Sequence, residues 1–154
     1  ALDDFLVHAV SRAKHNKTTL SFLYLDLDGF KKVNDTMGHA IGDKLLREVS
    51  LRLQDCTRDN EIVTRVGGDE FVIILHTSAV KAMLEAEVVA KRIINTINEP
   101  FEFDGETVNI GCSVGAAVWR PEYKDTSETL RLADEALYIS KRSGKNQITF
   151  ETAV

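Results

Sequence analysis

At 154 residues the chain has the length of one ordinary domain, and 44% apolar against 28% charged residues suits a globule with a core of its own. A net charge of -5 gives no support for binding a nucleic-acid polymer or an anionic membrane surface, so a polyanionic ligand needs a local basic site. No apolar run reaches the roughly 18 residues of a membrane span, so no membrane contact is expected from this segment. The sequence carries no secretory signal pattern and opens at Ala1 in a helical pattern, which reads as a single domain over 1–154 cut from a longer protein. The expected location is the cytoplasm, although the full-length protein could be membrane-anchored. Cys56 and Cys112 lie far apart in apolar contexts and read as buried thiols of a reducing compartment, with a disulfide left open.

In chain order, Leu2, Leu6, Ala9, Val10 and Ala13 recur at helical spacing over 2–14. "TLSFLYLDLDGF" reads as a buried strand over about 19–26 that ends in acids. Ile41, Leu45, Val49 and Leu53 predict a second amphipathic helix. "IVTRVGGDEFVIIL", 62–75, reads as a hairpin whose Gly67 and Gly68 supply positive φ for a tight turn. A third helix follows, with Met83, Ala86, Ala90, Ile93, Ile94 and Ile97 on one stripe, and Pro100 ends it. Short β segments are expected at 101–103 and 106–119. Asp125 to Glu128 resembles a reciprocally capped helix start, Leu130, Ala133, Leu137 and Tyr138 line the last helix, and Gly144 sits at its C-terminal cap. "NQITF" closes as a strand. Strands that follow one another without an intervening helix argue against a doubly wound parallel sheet. They favour an α/β (α+β) fold with a mainly antiparallel sheet and helices packed on it.

Two acidic features stand out. Asp26 and Asp28 are two apart at a strand end and so share a face, which fits either a solvated turn or a charged site. Asp69 and Glu70 stand side by side at the hairpin tip, which alone is equally a polar turn. If the first strand pairs beside the hairpin, three or four carboxylates converge, an environment for Mg2+ or Mn2+. Zinc does not fit, because His39 is isolated and no His or Cys lies at ligand spacing. Lys31 and Lys32 follow the acidic strand end, and Lys141, Arg142 and Lys145 cluster near the end of the last helix, where they could hold phosphate or simply complement the helix dipole. No Walker A loop is present.

Three ordered segments, "DLDGFKKVNDTMGHAIGDKLL", "RVGGDEF" and "ADEALYISKRSGKN", together with "CSVGAA", resemble the GGDEF domain family of diguanylate cyclases over about residues 5–150. The resemblance implies a fold akin to nucleotide cyclases and the polymerase palm. It implies condensation of two GTP into cyclic di-GMP and two pyrophosphates, each 3′-hydroxyl attacking the opposite α-phosphorus across a homodimer. Carried over by motif, Asp26, Asp69 and the Leu27 carbonyl hold Mg2+ or Mn2+. Asp69 and Glu70 are the catalytic acids, with Asp69 as proton acceptor. Asn34 and Asp43 read guanine, His39 lies near the nucleotide, and Lys31, Lys141 and Lys145 contact the triphosphate. Gly67 and Gly68 leave it room.

Some positions depart from the family pattern. Lys145 stands where Arg is more usual, which keeps the charge and loses the bidentate fork. Ser140 replaces a frequent Ala. The family's product-inhibition motif R-x-x-D appears as "RDNE", with Arg58 retained and Glu61 in place of Asp. The segment D-x-L-T-G-L-x-N-R that usually precedes the core is not in the chain. Expected partners are GTP, cyclic di-GMP as product and inhibitor, a second copy of the domain, and sensory or phosphodiesterase domains of a longer chain. The alternative function is a catalytically weak module that binds GTP or cyclic di-GMP and controls an adjacent domain.

Overall fold

The computed structural model describes residues 2–123 and 125–151. Its elements are α1 (Leu2–Asn16), β1 (Thr19–Asp28), α2 (Phe30–Met37), α3 (His39–Asp55), β2 (Ile62–Arg65), β3 (Glu70–Thr77), α4 (Ala82–Asn98), β4 (Phe101–Phe103), β5 (Glu106–Val108), β6 (Gly111–Trp119), α5 (Ser127–Arg142) and β7 (Ile148–Phe150). The five-stranded sheet has the order β2-β3-β1-β6-β7. β1 runs antiparallel to β3 and β6, β2 is antiparallel to β3, and β7 joins β6 in parallel. β4 and β5 form a separate hairpin. The expected mainly antiparallel sheet with flanking helices is what the chain forms.

β1 is buried almost throughout because both of its faces are covered. Leu23, Leu25 and Leu27 enter one core with Leu45 and Val49 of α3 and Ala90 and Ile93 of α4. Leu20 and Phe22 enter the other, with Leu6 and Ala13 of α1 and Leu132 and Ala133 of α5. Asp26 and Asp28 have the parity of Leu20 and Phe22, so they stand on the α5 face of the sheet. Gly115 of β6 sets how close α5 comes. A Cβ there would lie 2.1 Å from both Ala133 O and Leu137 N, inside the helix backbone.

Several local expectations are corrected. The acidic end of β1 runs on to Asp28 and leads into α2, a helix of 8 residues missing from the sequence reading. Its apolar residues are few, and Gly29 (φ 93°) and Gly38 (φ 91°) bracket it as turns that separate it from β1 and α3. Neither Gly67 nor Gly68 takes a positive φ. The β2–β3 connection spans Val66 to Asp69, closed by Val66 N–H donating to Glu70 O at 2.9 Å, so a two-residue primed turn is not required. The stretch 106–119 breaks at Asn109 and Ile110 into β5 and β6. Met83 and Tyr138 are exposed, off the buried stripes of their helices. Asp125 Oδ1 accepts from Ser127 N–H at 3.0 Å, and the Glu128 carboxylate accepts from Arg131. Both cysteines are buried free thiols.

Candidate active site

The β1–β3 register sets Asp26 directly opposite Glu70, and the β1–β6 register sets it opposite Ser113. Glu70 opens β3 with the parity of Val72 and Ile74, so it shares the α5 face with Asp26. Asp69 precedes it in the turn, and its carbonyl accepts the Leu27 N–H at 3.1 Å, stitching the turn to β1. Sequence separation is thus cancelled by strand pairing, and the two acidic motifs share one sheet end.

Asp26 is buried, with 6% of its surface exposed. Burial pushes its carboxyl up to about 6, and the charges of Asp69 and Glu70 push the same way, against a hydrogen bond from Lys141. That bond runs from Lys141 Nζ in the last turn of α5 to Asp26 Oδ2. Partial burial disfavours the Lys141 ammonium. The bond to Asp26 and the charges of Asp26, Asp69 and Asp28 outweigh this and hold its pKa above the ordinary lysine value.

Asp28 has a different task. Its carboxylate accepts from Ser113 Oγ at 2.8 Å and from Asn146 N–H at 3.1 Å, fastening the segment after α5 to the end of β1. Lys145 and Asn146 take positive φ (63° and 51°) there, and Lys145 is exposed beside the fastening. Among the described residues, no three His, Cys, Asp or Glu side chains are grouped to hold an ion. Asp69 and Glu70 lie close enough to act on Asp26, and three of the carboxylates are also engaged by the fold: Asp26 is bonded to Lys141, Asp28 to Ser113, and Glu70 folds back over the turn. A Cβ at Gly67 would stand 2.5 Å from Glu70 Oε1, whereas at Gly68 it would meet nothing within 4 Å. Gly67 thus makes room for Glu70, and Gly68 leaves an open surface.

Lys31 lies exposed in the first turn of α2, and His39 opens α3, also exposed. Asn34 of α2 lays its carboxamide across the corner between the helices. A Cβ at Gly42 would lie 1.8 Å from Asn34 Oδ1, and Asp43 is the next residue. Asn34 thus packs on Gly42, the residue before the exposed Asp43. Asp43, Leu46, Arg47, Ser50, Leu51 and Arg65 line a hollow of about 440 Å³.

Arg58 and Glu61 stand elsewhere, at the far end of β3 from Glu70. Glu61 accepts from Arg58 N–H and from His76 N–H, each at 2.9 Å. Both residues line a hollow of about 370 Å³ that reaches Phe5 of α1. Sequence reasoning missed Arg65, whose Nε–H is shared between Gly67 O at 2.9 Å and Gly68 O at 3.1 Å, and also Ser113 and Asn146. All three lie inside the quoted motifs, but nothing in their spacing revealed that they brace the acids.

A family model described as "Diguanylate cyclase, GGDEF domain" matches residues 1–147. The chain is 39% identical over 147 residues to cyclic di-GMP phosphodiesterase PdeR of Escherichia coli, covering 96% of this chain and 22% of that protein. It is 35% identical over 144 residues to diguanylate cyclase A of Treponema denticola, covering 93% and 38% respectively. The crystal structure of the GGDEF domain of PA1120 (YfiN or TpbB) from Pseudomonas aeruginosa superposes with a TM-score of 0.89 at 30% identity, covering 99% of this chain and 94% of that one. The chain spans well under half the length of these curated relatives. With its acids, lysine and glycine turn set at one sheet end, and a match over nearly its whole length, the chain belongs to the GGDEF family of diguanylate cyclase domains.

Proposed function

We propose that this chain is the catalytic domain of a diguanylate cyclase that joins two GTP into cyclic di-GMP and releases two pyrophosphates. One observation supports the reading most: the pairing of Asp26 with Glu70, with Asp69 bonded to Leu27, gathers the acids of two distant motifs beside Lys141. Asp26, Asp69 and the Leu27 carbonyl are the groups that would hold Mg2+ or Mn2+. Their chemistry fits, since hard oxygen donors suit these ions and Asp26 is a buried carboxyl whose ionisation Asp69 and Glu70 oppose. Once bound, the ion would neutralise phosphate charge and acidify the 3′-hydroxyl.

Asp69 accepts the 3′-hydroxyl proton, with Glu70 beside it. Lys31, Lys141 and Lys145 bind triphosphate oxygens as mobile point charges. Asn34 and Asp43 select guanine, because a base with the wrong donor pattern would leave buried polar groups unpaired. His39 borders the nucleotide, and the bare surface at Gly68 lets it approach. One domain supplies half of a symmetric site, so the working unit is a homodimer. Arg58 and Glu61 border the hollow through which product feeds back.

The test is chromatography of products from GTP and Mg2+, at high protein concentration and with the domain fused to a dimeriser, wild type beside Asp69→Ala. Cyclic di-GMP from the wild type alone supports the proposal; no product under either condition rejects it. A second reading, a regulatory module that binds GTP or cyclic di-GMP without turnover, is favoured by the 39% identity to a protein named a phosphodiesterase. Calorimetric GTP binding with no product would select it.

A further inference from the structure

We infer that Lys141 is the resident cation of the metal position: it neutralises Asp26 in the nucleotide-free domain, and a divalent ion takes Asp26 firmly only after Lys141 has moved to an arriving triphosphate. This rests on the proposed reading of Asp26 and Asp69 as metal holders, and it adds an order of events to that reading.

The pair is asymmetric. The Asp26 side chain is 9% exposed and fixed in a central strand, whereas the Lys141 side chain is 37% exposed at the end of a helix. The carboxylate cannot leave, and the ammonium can. A flexible four-carbon stem anchored in α5 lets Nζ swing toward solvent without moving the helix, whose position Gly115 fixes. The surroundings are anionic, with Asp69, Glu70 and Asp28 all close enough to act on this pair. Asp28 is itself occupied by Ser113 and Asn146. Lys141 is the ion-pair partner of Asp26 among the described residues.

A buried carboxylate without a counter-charge is strongly disfavoured, so the free domain needs this ammonium. An ammonium and a divalent ion on one buried carboxylate would repel each other through a medium that screens poorly. Free metal must therefore compete with a tethered cation. A triphosphate changes the balance, because its oxygens offer Lys141 an alternative anion and offer the metal further ligands. Metal and nucleotide then bind with positive coupling, each removing the obstacle to the other.

The experiment measures Mn2+ alone binding to the nucleotide-free domain, by electron paramagnetic resonance and by calorimetry. Lys141→Met is expected to tighten Mn2+ binding about tenfold or more, while Arg142→Met, which removes one charge from the same helix end, changes it less than about twofold. Lys141→Gln keeps a hydrogen-bond donor toward Asp26 and removes only the charge; it guards against misfolding of the Met variant and must tighten binding as well. In the double variant Lys141→Gln with Asp26→Asn the gain must vanish. Equal Mn2+ affinity in wild type and both Lys141 variants would overturn the inference, provided Mn2+ with a non-hydrolysable GTP analogue still binds the wild type. Failure of Mn2+ to bind any of these proteins, with or without that analogue, would instead reject the metal assignment itself, and the inference with it.

Discussion

Asp26 and Glu70 face each other across β1 and β3, two acids in direct register on one face of a sheet. Like charges in such a pair are mutually destabilising, and here one of them is also buried. The arrangement costs stability and is retained at the point where the chemistry is proposed to occur.

Asp26→Asn tests this directly. The folded pKa of Asp26, about 6, is raised above its ordinary value of 3.8. The ionised carboxylate is thus penalised in the fold above about pH 6, and the penalty disappears as pH falls toward 3.8. The Asn variant should melt higher than wild type at pH 8, by an amount equivalent to about 1 kcal/mol after allowing for screening and for the lost Lys141 partner. The gain should fade in acid, and cyclic di-GMP synthesis should fall about a hundredfold or more. A variant markedly less stable than wild type at pH 8 would contradict the penalty.

Arg65 should act on kinetics more than on stability. Its exposed guanidinium holds the carbonyls of Gly67 and Gly68, orienting the turn that carries Asp69. Arg65→Ala is expected to lower kcat/KM about tenfold while shifting the melting point little. Arg65→Lys should recover part of the loss, since an ammonium can still donate to the carbonyls. Steady-state kinetics beside thermal melting separates the two effects.

Gly115→Ala should be severe. The added methyl would lie 2.1 Å from α5 backbone atoms, which no rotamer relieves. We expect a loss of about 2–3 kcal/mol or more in urea denaturation. Activity should also fall in the protein that remains folded, because α5 carries Lys141.

His76 predicts a pH dependence of stability. Burial lowers its pKa from 6.5, and Arg12 adds to this against the opposing charge of Glu61. Below pH 6.5 the unfolded chain takes up the proton that the folded one resists, so this contribution to stability is full above that value and is lost as pH falls. Asp26 contributes with the opposite sign in acid, so the difference between wild type and His76→Gln isolates the histidine. That difference should change between pH 7.5 and about 5.5; a constant difference would refute the assignment.

Product feedback should rest on Arg58. Both oxygens of Glu61 already hold backbone N–H groups, of Arg58 and His76, so its carboxylate is committed to the fold. Calorimetry should detect cyclic di-GMP binding to wild type, with Arg58→Ala weakening it about tenfold or more. Undiminished binding by the variant would remove Arg58 from the site.

Much of this protein was readable in the chain. Helical spacing over α1, α3, α4 and α5, the apolar run of β1 and the order of strands carried the fold class, because period and burial are written in local composition. The motifs carried the candidate acids Asp26, Asp69 and Glu70 and the lysines. α2 escaped, since its 8 residues hold few apolar positions and its limits depend on the conformations of Gly29 and Gly38. The glycines of the turn were legible as a feature but not as a mechanism: Gly67 is bare because Glu70 folds onto it, a contact between side chain and backbone that no spacing encodes. Most of all, the tertiary structure alone decided what each charge faces. Asp28 shares a strand face with Asp26 yet is spent on Ser113 and Asn146, while Asp26 meets Lys141, 115 residues away. Strand register and the closeness of α5 at Gly115 set those partners, and both are properties of packing between segments that the sequence leaves far apart.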